Sequence, residues 1–472
     1  MSFFSRKETD NRAKIAEVLG VKPVSYDRTE AMIDKCSRAY SDEPTWYSDE
    51  EDARTLGFTS EVCSELARLT TMNIEVSVSG SARADWLGEV VRQIDLRRWV
   101  EYGLAEGNLI LKPNGSGVDK LLPGQFFILE ADDAQIWKIV FLDWYDDEEN
   151  DQFYTRLEYH HREDDGTYIV NNYAFIGTKH GELKDQIDLD ASPWVGLMDE
   201  TTITGVDRML FGLFQVPAAN NLDIGAPLHL PVAAKALQEM QDLDIAYTRF
   251  ASEIVESQRT VLLDSDRLLP TGGRLTGGRL SAQNAETMVS ALKLPKYVRA
   301  VAGSGSETSD VYHEINPSLH STERLVGIHE LLDLVGYKCG FSNGYFVFNE
   351  HTGMVTATQV ESDDRRTIQT VSDIRASLQD CLEDLIYSLD KFADVYGYAP
   401  RGSYEVAYDF GDLTINEEED KARWYGYVQA GYVPFWRFLV MFEGFTEEEA
   451  RAIDAEAYEA DQRSMGLFGR TE

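Results

Sequence analysis

Residue types that do chemistry are present in this chain, but not at the spacings chemistry needs. Eight histidines are scattered along it. Their one close pair, His160-His161, falls in a run that reads as a strand, where neighbours point to opposite faces. No HExxH and no paired Cys/His spacing would hold zinc. The phosphate cradle GxxxxGK[ST] is missing, since Gly303-Ser304-Gly305-Ser306 is not followed by a lysine. No GxSxG elbow presents a serine nucleophile. Two acidic runs, Asp146-Asp147-Glu148-Glu149 and Glu417-Glu418-Glu419-Asp420, carry the oxygen donors a divalent ion needs, but as turn or helix-start charge they are expected to be solvated. The tandem Thr271-Gly272-Gly273-Arg274-Leu275 and Thr276-Gly277-Gly278-Arg279-Leu280 could bind phosphate through its arginines or form a flexible hairpin. Cys36, Cys63, Cys339 and Cys381 lie far apart with no CxxC, and read as reduced, buried thiols. The expectation is a protein without catalytic residues, metal or cofactor.

Charge is the abnormal property. In 472 residues, 44 Lys and Arg stand against 82 Asp and Glu, a net charge of −38, with a pI near 4.5. Such a surface does not wrap nucleic acid, because phosphate contacts need cations. An anionic membrane is excluded on the same ground. It leaves open nucleic acid that must pass without sticking. Hydrophobic residues at 43% and charged residues at 27% are the balance of a folded protein. The length calls for two to four structural units. The first residues turn charged at once, with no apolar signal core, and no run of about eighteen apolar residues would cross a membrane. A soluble, cytoplasmically made protein is expected.

The elements that would position any site follow from hydrophobic period. Residues 1–100 read as helical: a helix starting at a Ser60 cap, then an amphipathic helix from Trp86 to Trp99 with Leu87, Val90, Val91, Ile94 and Leu96 as core. From 107 to 176, short β-rich runs (108–111, 126–129, 136–142, 153–159 and 168–175) alternate with acidic or Gly-containing breaks, as in an antiparallel meander. After Pro231, Leu237, Met240, Leu243, Tyr247, Phe250 and Ile254 make a helix of about seven turns with one narrow apolar stripe. Segment 261–300 reverses the charge, with six basic residues against three acidic ones. A helix over 321–339 carries Leu325, Ile328, Leu332 and Val335 on one face. A glycine-bearing aromatic loop over 340–353 follows. Its aromatics either narrow a bore or anchor the loop to its own chain. A capping box at Thr356-Ala357-Thr358-Gln359 then opens the longest helix, with Val371, Ile374, Leu378, Cys381, Leu385, Leu389 and Phe392 on its face. Gly397 ends it. After a β-like piece at 404–408, residues 414–463 read as acidic helices, with a second capping box at Thr446-Glu447-Glu448-Glu449. The stripes on 231–260 and 319–340 look too narrow for a monomer core and are expected to be covered by neighbouring subunits.

This order resembles the portal proteins of tailed bacteriophages, of the siphophage type from phages of Gram-positive hosts. Three stretches carry the resemblance. The first is Phe214-Gln215-Val216-Pro217-Ala218-Ala219-Asn220-Asn221-Leu222-Asp223 with Gly225-Ala226-Pro227-Leu228, ahead of a helix. The second is Asp244-Ile245-Ala246-Tyr247 inside that helix. The third is Gly344-Tyr345-Phe346-Val347-Phe348 leading to Thr356-Ala357-Thr358-Gln359-Val360. The ending, Ala430-Gly431-Tyr432-Val433 and Gly444-Phe445-Thr446-Glu447-Glu448-Glu449-Ala450, fits as well. The Thr-Gly-Gly-Arg-Leu tandem departs from the pattern.

The resemblance implies an α+β, mainly helical portal fold with wing, stem, clip and crown, assembled as a ring of twelve subunits at one capsid vertex. Residues 1–230 would be the wing, 231–260 the first stem helix, 261–318 the clip and 319–340 the second stem helix. Residues 341–355 would be the tunnel loop, 356–409 the long kinked helix and its return to the wing, and 410–472 the crown. The loop residues facing the channel would be Ser342, Asn343, Gly344, Tyr345, Phe346, Val347, Phe348, Asn349 and Glu350. Partner docking would use Arg267, Arg274, Arg279, Lys293, Lys296 and Arg299. The implied partners are double-stranded DNA in the channel, the terminase large subunit, a head–tail adaptor, and the major capsid and scaffolding proteins. The implied location is the virion, after assembly in the host cytoplasm. Two other classes compete. A nuclease or ATPase of the packaging machinery would need a nucleotide or metal-carboxylate motif. A minor capsid or head-assembly protein without a channel would leave the two long helices and their aromatic loop unexplained.

Overall fold

Alternation and turns build the central sheet. Strands β4 (Phe126–Ala131), β5 (Ile136–Asp147), β6 (Gln152–Arg162), β7 (Tyr168–Gly177) and β8 (Asp185–Ile187) pair in that order, all antiparallel, and β9 (Glu200–Ile203) also pairs with β7. The meander read from the sequence is therefore present, with longer strands. In this computed structural model the described residues are 11–47, 54–115, 117–132, 135–147, 150–257, 260–264, 298–301, 312–315, 320–346, 365–411, 421, 424–428, 432–443 and 445–455.

Each face of the meander buries its own cluster, because successive side chains alternate. Ile139, Phe141, Tyr168 and Val170 join Ile110, Leu210, Phe211 and Phe392 on one face. Val140, Leu142, Leu157 and Phe175 pack around Ile15 of α1 (Arg12–Leu19) on the other. A second sheet, in the order β10 (Gly212–Gln215), β2 (Asn108–Asn114), β3 (Gly117–Leu121), lies against the long helix α8 (Arg365–Tyr396). Here β10 and α8 approach so closely that a Cβ on Gly212 would overlap the Cys381 carbonyl. Val371, Ile374, Leu378, Cys381, Leu385, Leu389 and Phe392 are all buried, on the face their spacing assigned. Gly397 ends α8 at φ +71°.

Helices α2 (Asp27–Tyr40), α3 (Phe58–Thr71), α4 (Ala82–Arg92) and α5 (Leu96–Glu106) complete the N-terminal part. Two expectations change here. The Ser60 cap is an interior residue, since α3 starts at Phe58 after Gly57. The single helix from Trp86 to Trp99 is two helices, because Asp95 accepts the Arg98 N–H and caps a new start. Leu87, Val90, Val91 and Ile94 are buried as expected, while Leu96 is only half-buried. The two-stranded sheet of β1 (Glu75–Ser79) with β14 (Glu405–Asp409) ties chain segments more than 300 residues apart and was not legible beforehand.

Contacts divide the chain into Met1–Phe410 and Gly411–Glu472. In the second unit, α9 (Phe435–Phe442) is apolar rather than acidic, with Phe438 and Leu439 buried. The second capping box is formed: the Thr446 N–H reaches Glu449 Oε2 at 3.1 Å, and the Glu449 N–H reaches Thr446 Oγ1 at 3.4 Å. Among the described residues no helix is long and apolar enough to cross a membrane.

Candidate functional site: a helix pair and the loop that follows it

Helices α6 (Leu237–Glu256) and α7 (Ser321–Lys338) pack antiparallel. A 3-10 turn at Val232–Lys235 follows Pro231, so the α-helix begins later than its sequence pattern suggests. The direction is fixed by ion pairs at both ends: Glu239 with Lys338, and Glu253 with Arg324, while the His320 N–H also donates to Glu253 at 2.9 Å. Between them Leu243, Ile328 and Leu332 are buried with Ala246, Phe250 and Leu331 against them. Here the structure corrects an expectation. The narrow stripes on the two helices cover each other within one chain, so they are not the surface a neighbour would cover. What stays exposed is Ile245 and Ile254 on α6, and Leu325, Val326, Leu334 and Tyr337 on α7.

Three strands lie between the helices in sequence: β11 (Thr260–Asp264) is parallel to β12 (Val298–Val301) and antiparallel to β13 (Tyr312–Ile315). Of the basic residues singled out for docking, Arg299 stands in β12 opposite Leu262. Arg267, Arg274, Arg279, Lys293 and Lys296 lie outside the described residues.

The loop after α7 turns inward on its own chain. Gly340 has φ +99°, and a Cβ there would come within 2.6 Å of Thr370. The Thr370 hydroxyl donates to the Gly340 carbonyl at 2.8 Å, and the Ser342 N–H donates to Thr367 Oγ1 at 2.9 Å. The Gly344 N–H reaches Asp333 Oδ1 at 2.8 Å. Phe341 is fully buried. Phe346 sets its ring edge-on to Phe58 at 4.9 Å and Phe341 at 4.7 Å. Tyr345 hydrogen-bonds Glu65, and burial together with that carboxylate raises its hydroxyl pKa. A protruding loop starting at Phe341 is thus corrected: Ser342, Gly344, Tyr345 and Phe346 anchor the segment, because three aromatic rings find an apolar seat on α3 and α7. Asn343 lies in the same turn, and Val347, Phe348, Asn349 and Glu350 lie outside the described residues.

The residues that carried the resemblance have definite jobs. Asp223 accepts from the Thr29 N–H and hydroxyl, each at 2.9 Å, and so caps α2, whose own N-cap Tyr26 makes no side-chain cap bond. Asn220 donates to the Leu228 carbonyl at 2.9 Å, and Gln215 donates to the Pro227 carbonyl at 2.7 Å. Asp244 accepts from Trp46 Nε1 and from the Leu56 N–H, both at 2.9 Å, holding both flanks of the 46–56 segment against α6. Burial raises its pKa against those hydrogen bonds. Beside it opens a cavity of about 440 Å³ lined by Trp46, Tyr47, Arg54, Ile245 and Arg249 among others. The sequence reading missed it, since its walls come from segments some 190 residues apart.

Catalytic groupings are sparse among the described residues. No cluster of three or more His, Cys, Asp or Glu there could hold a metal ion. All four cysteines are free and buried. Burial pushes the Cys339 thiol up to about 12 and the other three higher still, so none is a ready nucleophile. His160 and His161 do face opposite ways: His160 is fully buried, and bonds Glu158 at 2.7 Å and Tyr168 at 2.6 Å. With Lys112 and Arg156 also on Glu158, this is a satisfied internal network.

No family model matches this chain, and no curated protein matches it either. Among solved structures it is similar to a chain of the "Neck of empty GTA particle computed with C6 symmetry", at 11% identity and TM-score 0.41, over 92% of this chain and 99% of that one. So distant a likeness carries no functional inference.

Proposed function

We propose that this chain is a portal-type subunit. Copies would form a ring, of twelve members by the resemblance, at one vertex of a phage capsid, and double-stranded DNA would pass through it during packaging and ejection. The observation that carries this reading is the antiparallel pair α6 and α7, joined in sequence through a small sheet and left with exposed apolar residues on its outer faces. Such a pair suits side-by-side contact with identical pairs in a closed ring.

Charge supports the same reading. With a net −38, the chain offers DNA few cations to grip, so a phosphate backbone could slide without capture. In this reading the chain is a conduit without catalysis. Segment 261–318 receives the terminase large subunit and later the head–tail adaptor, and 410–472 belongs to the capsid interior. Any part of the loop that reaches a channel starts after Phe346. Negative-stain electron microscopy of the purified protein tests this: rings with a central channel are expected, and a uniform monomer at high concentration across salt conditions overturns it.

A further inference from the structure

We infer that neighbouring copies join head to tail, the outer face of α7 in one copy seated on the outer face of α6 in the next; this rests on the ring reading above. The argument starts from helical phase. At about 100° per residue, Glu239, Leu243, Ala246, Phe250 and Glu253 share the side of α6 that meets α7. Gln241, Ile245, Thr248 and Ser252 fall on the opposite side and line the cavity with Trp46 and Arg54. On α7, Arg324, Ile328, Leu332 and Val335 turn toward α6 or are buried. Glu323, Val326, Glu330, Leu334 and Tyr337 repeat at 3, 4, 4 and 3 on the far side, and all are exposed. The helix pair is therefore a slab with a hollow on one side and a ridge on the other.

The two sides are chemically complementary. The hollow presents Arg54 and Arg249, neither in an ion pair among the described residues, around the apolar floor of Ile245 and Trp46. The ridge presents Glu323 and Glu330, also without ion pairs among the described residues, set about 10 Å apart on the helix with Val326 between them and Leu334 beyond. Tyr337, at the far end, is already covered by the Arg366 guanidinium at 3.9 Å, so the working ridge runs from Glu323 to Leu334. A two-fold contact would set hollow on hollow and cation on cation. Ridge into hollow pairs opposite charges and apolar with apolar. Because the faces lie on opposite sides of one slab, the contact repeats from copy to copy, as a closing ring requires.

Charge reversal with mixing tests this. One variant carries Arg54→Glu with Arg249→Glu, the other Glu323→Arg with Glu330→Arg. All four sites are exposed, and circular dichroism melts check that each variant folds as the wild type does. Sedimentation velocity and negative-stain images then score assembly. Each variant alone should need on the order of a hundredfold more protein for half-assembly. An equimolar mixture should restore rings, since alternating copies place Glu against Arg and then Arg against Glu. If either variant assembles like the wild type, or if mixing restores nothing, the contact is overturned while the ring reading stands. A wild type that never forms rings overturns the ring reading and this contact with it.

Discussion

Lys112, Arg156 and His160 all reach the carboxylate of Glu158, at 2.8, 3.1 and 2.7 Å, in a cluster where every member is under a tenth exposed. Burial alone would raise the pKa of Glu158, but the cations around it win and hold it well below its ordinary 4.5. For His160 burial is the largest influence and lowers it below 6.5, against the pull of Glu158. Both folded values lie below the unfolded ones, so the unfolded chain binds more protons in acid. The His160 contribution is complete above pH 6.5 and is lost as pH falls through its lowered value. That of Glu158 goes the same way from 4.5 downward. Urea midpoints should therefore fall less between pH 7 and 5 in His160→Gln than in the wild type. Equal slopes would show that His160 does not titrate on unfolding. Glu158→Gln leaves Lys112 and Arg156 buried without their counter-charge, and should cost about 3 kcal/mol in a denaturation series at pH 7.

Among the elements, α8 is the one most others lean on. It packs against β10, β2, α3 and α4. Gly212 is where β10 comes closest, and any side chain there meets the Cys381 carbonyl, which is helix backbone and has little room to retreat. Gly212→Ala should cost about 2 kcal/mol through forced separation of strand and helix. Gly327 makes a control: nothing lies within 4 Å of a Cβ there, and Gly327→Ala in the middle of α7 should stabilise by up to about 1 kcal/mol. Thermal melts of the two variants should move in opposite directions. The helices were legible in the sequence where one face repeats at 3.6 residues. The break between α4 and α5 was not, because the apolar phase of Leu87, Val90, Val91 and Ile94 runs straight up to it and only the Asp95 cap shows where a new helix begins.

At the scale of the whole molecule, Met1–Phe410 holds its contacts within itself. A chain ended after Gly411 should still unfold cooperatively and keep the melting behaviour of the longer protein's first unit. A broad, non-cooperative melt would mean that 412–472 is needed for folding. The charge of −38 makes a second prediction for the intact protein. In a mobility-shift assay at physiological salt it should not retain linear double-stranded DNA, because retention depends on released counterions and thus on cations it lacks. Tight, salt-sensitive retention would contradict the sliding surface proposed above.

Local pattern was enough for the meander, for the buried face of α8, for the Thr446–Glu449 capping box and for four buried thiols, because each depends on residues close in the chain. It was also enough for the charge, which no fold can change. Partners were another matter. Val78 pairs with Val406, and Leu213 with Ile110, across separations that no short-range period encodes. The stripes on α6 and α7 were read correctly as apolar, but an apolar stripe does not say what covers it. The tertiary structure set them against each other and left the opposite faces outside. It likewise turned Phe341, Tyr345 and Phe346 back onto α3 and α7, since burying three rings outweighs leaving them in water. The period of a sequence fixes which side of an element is apolar; only the packed chain decides what that side meets.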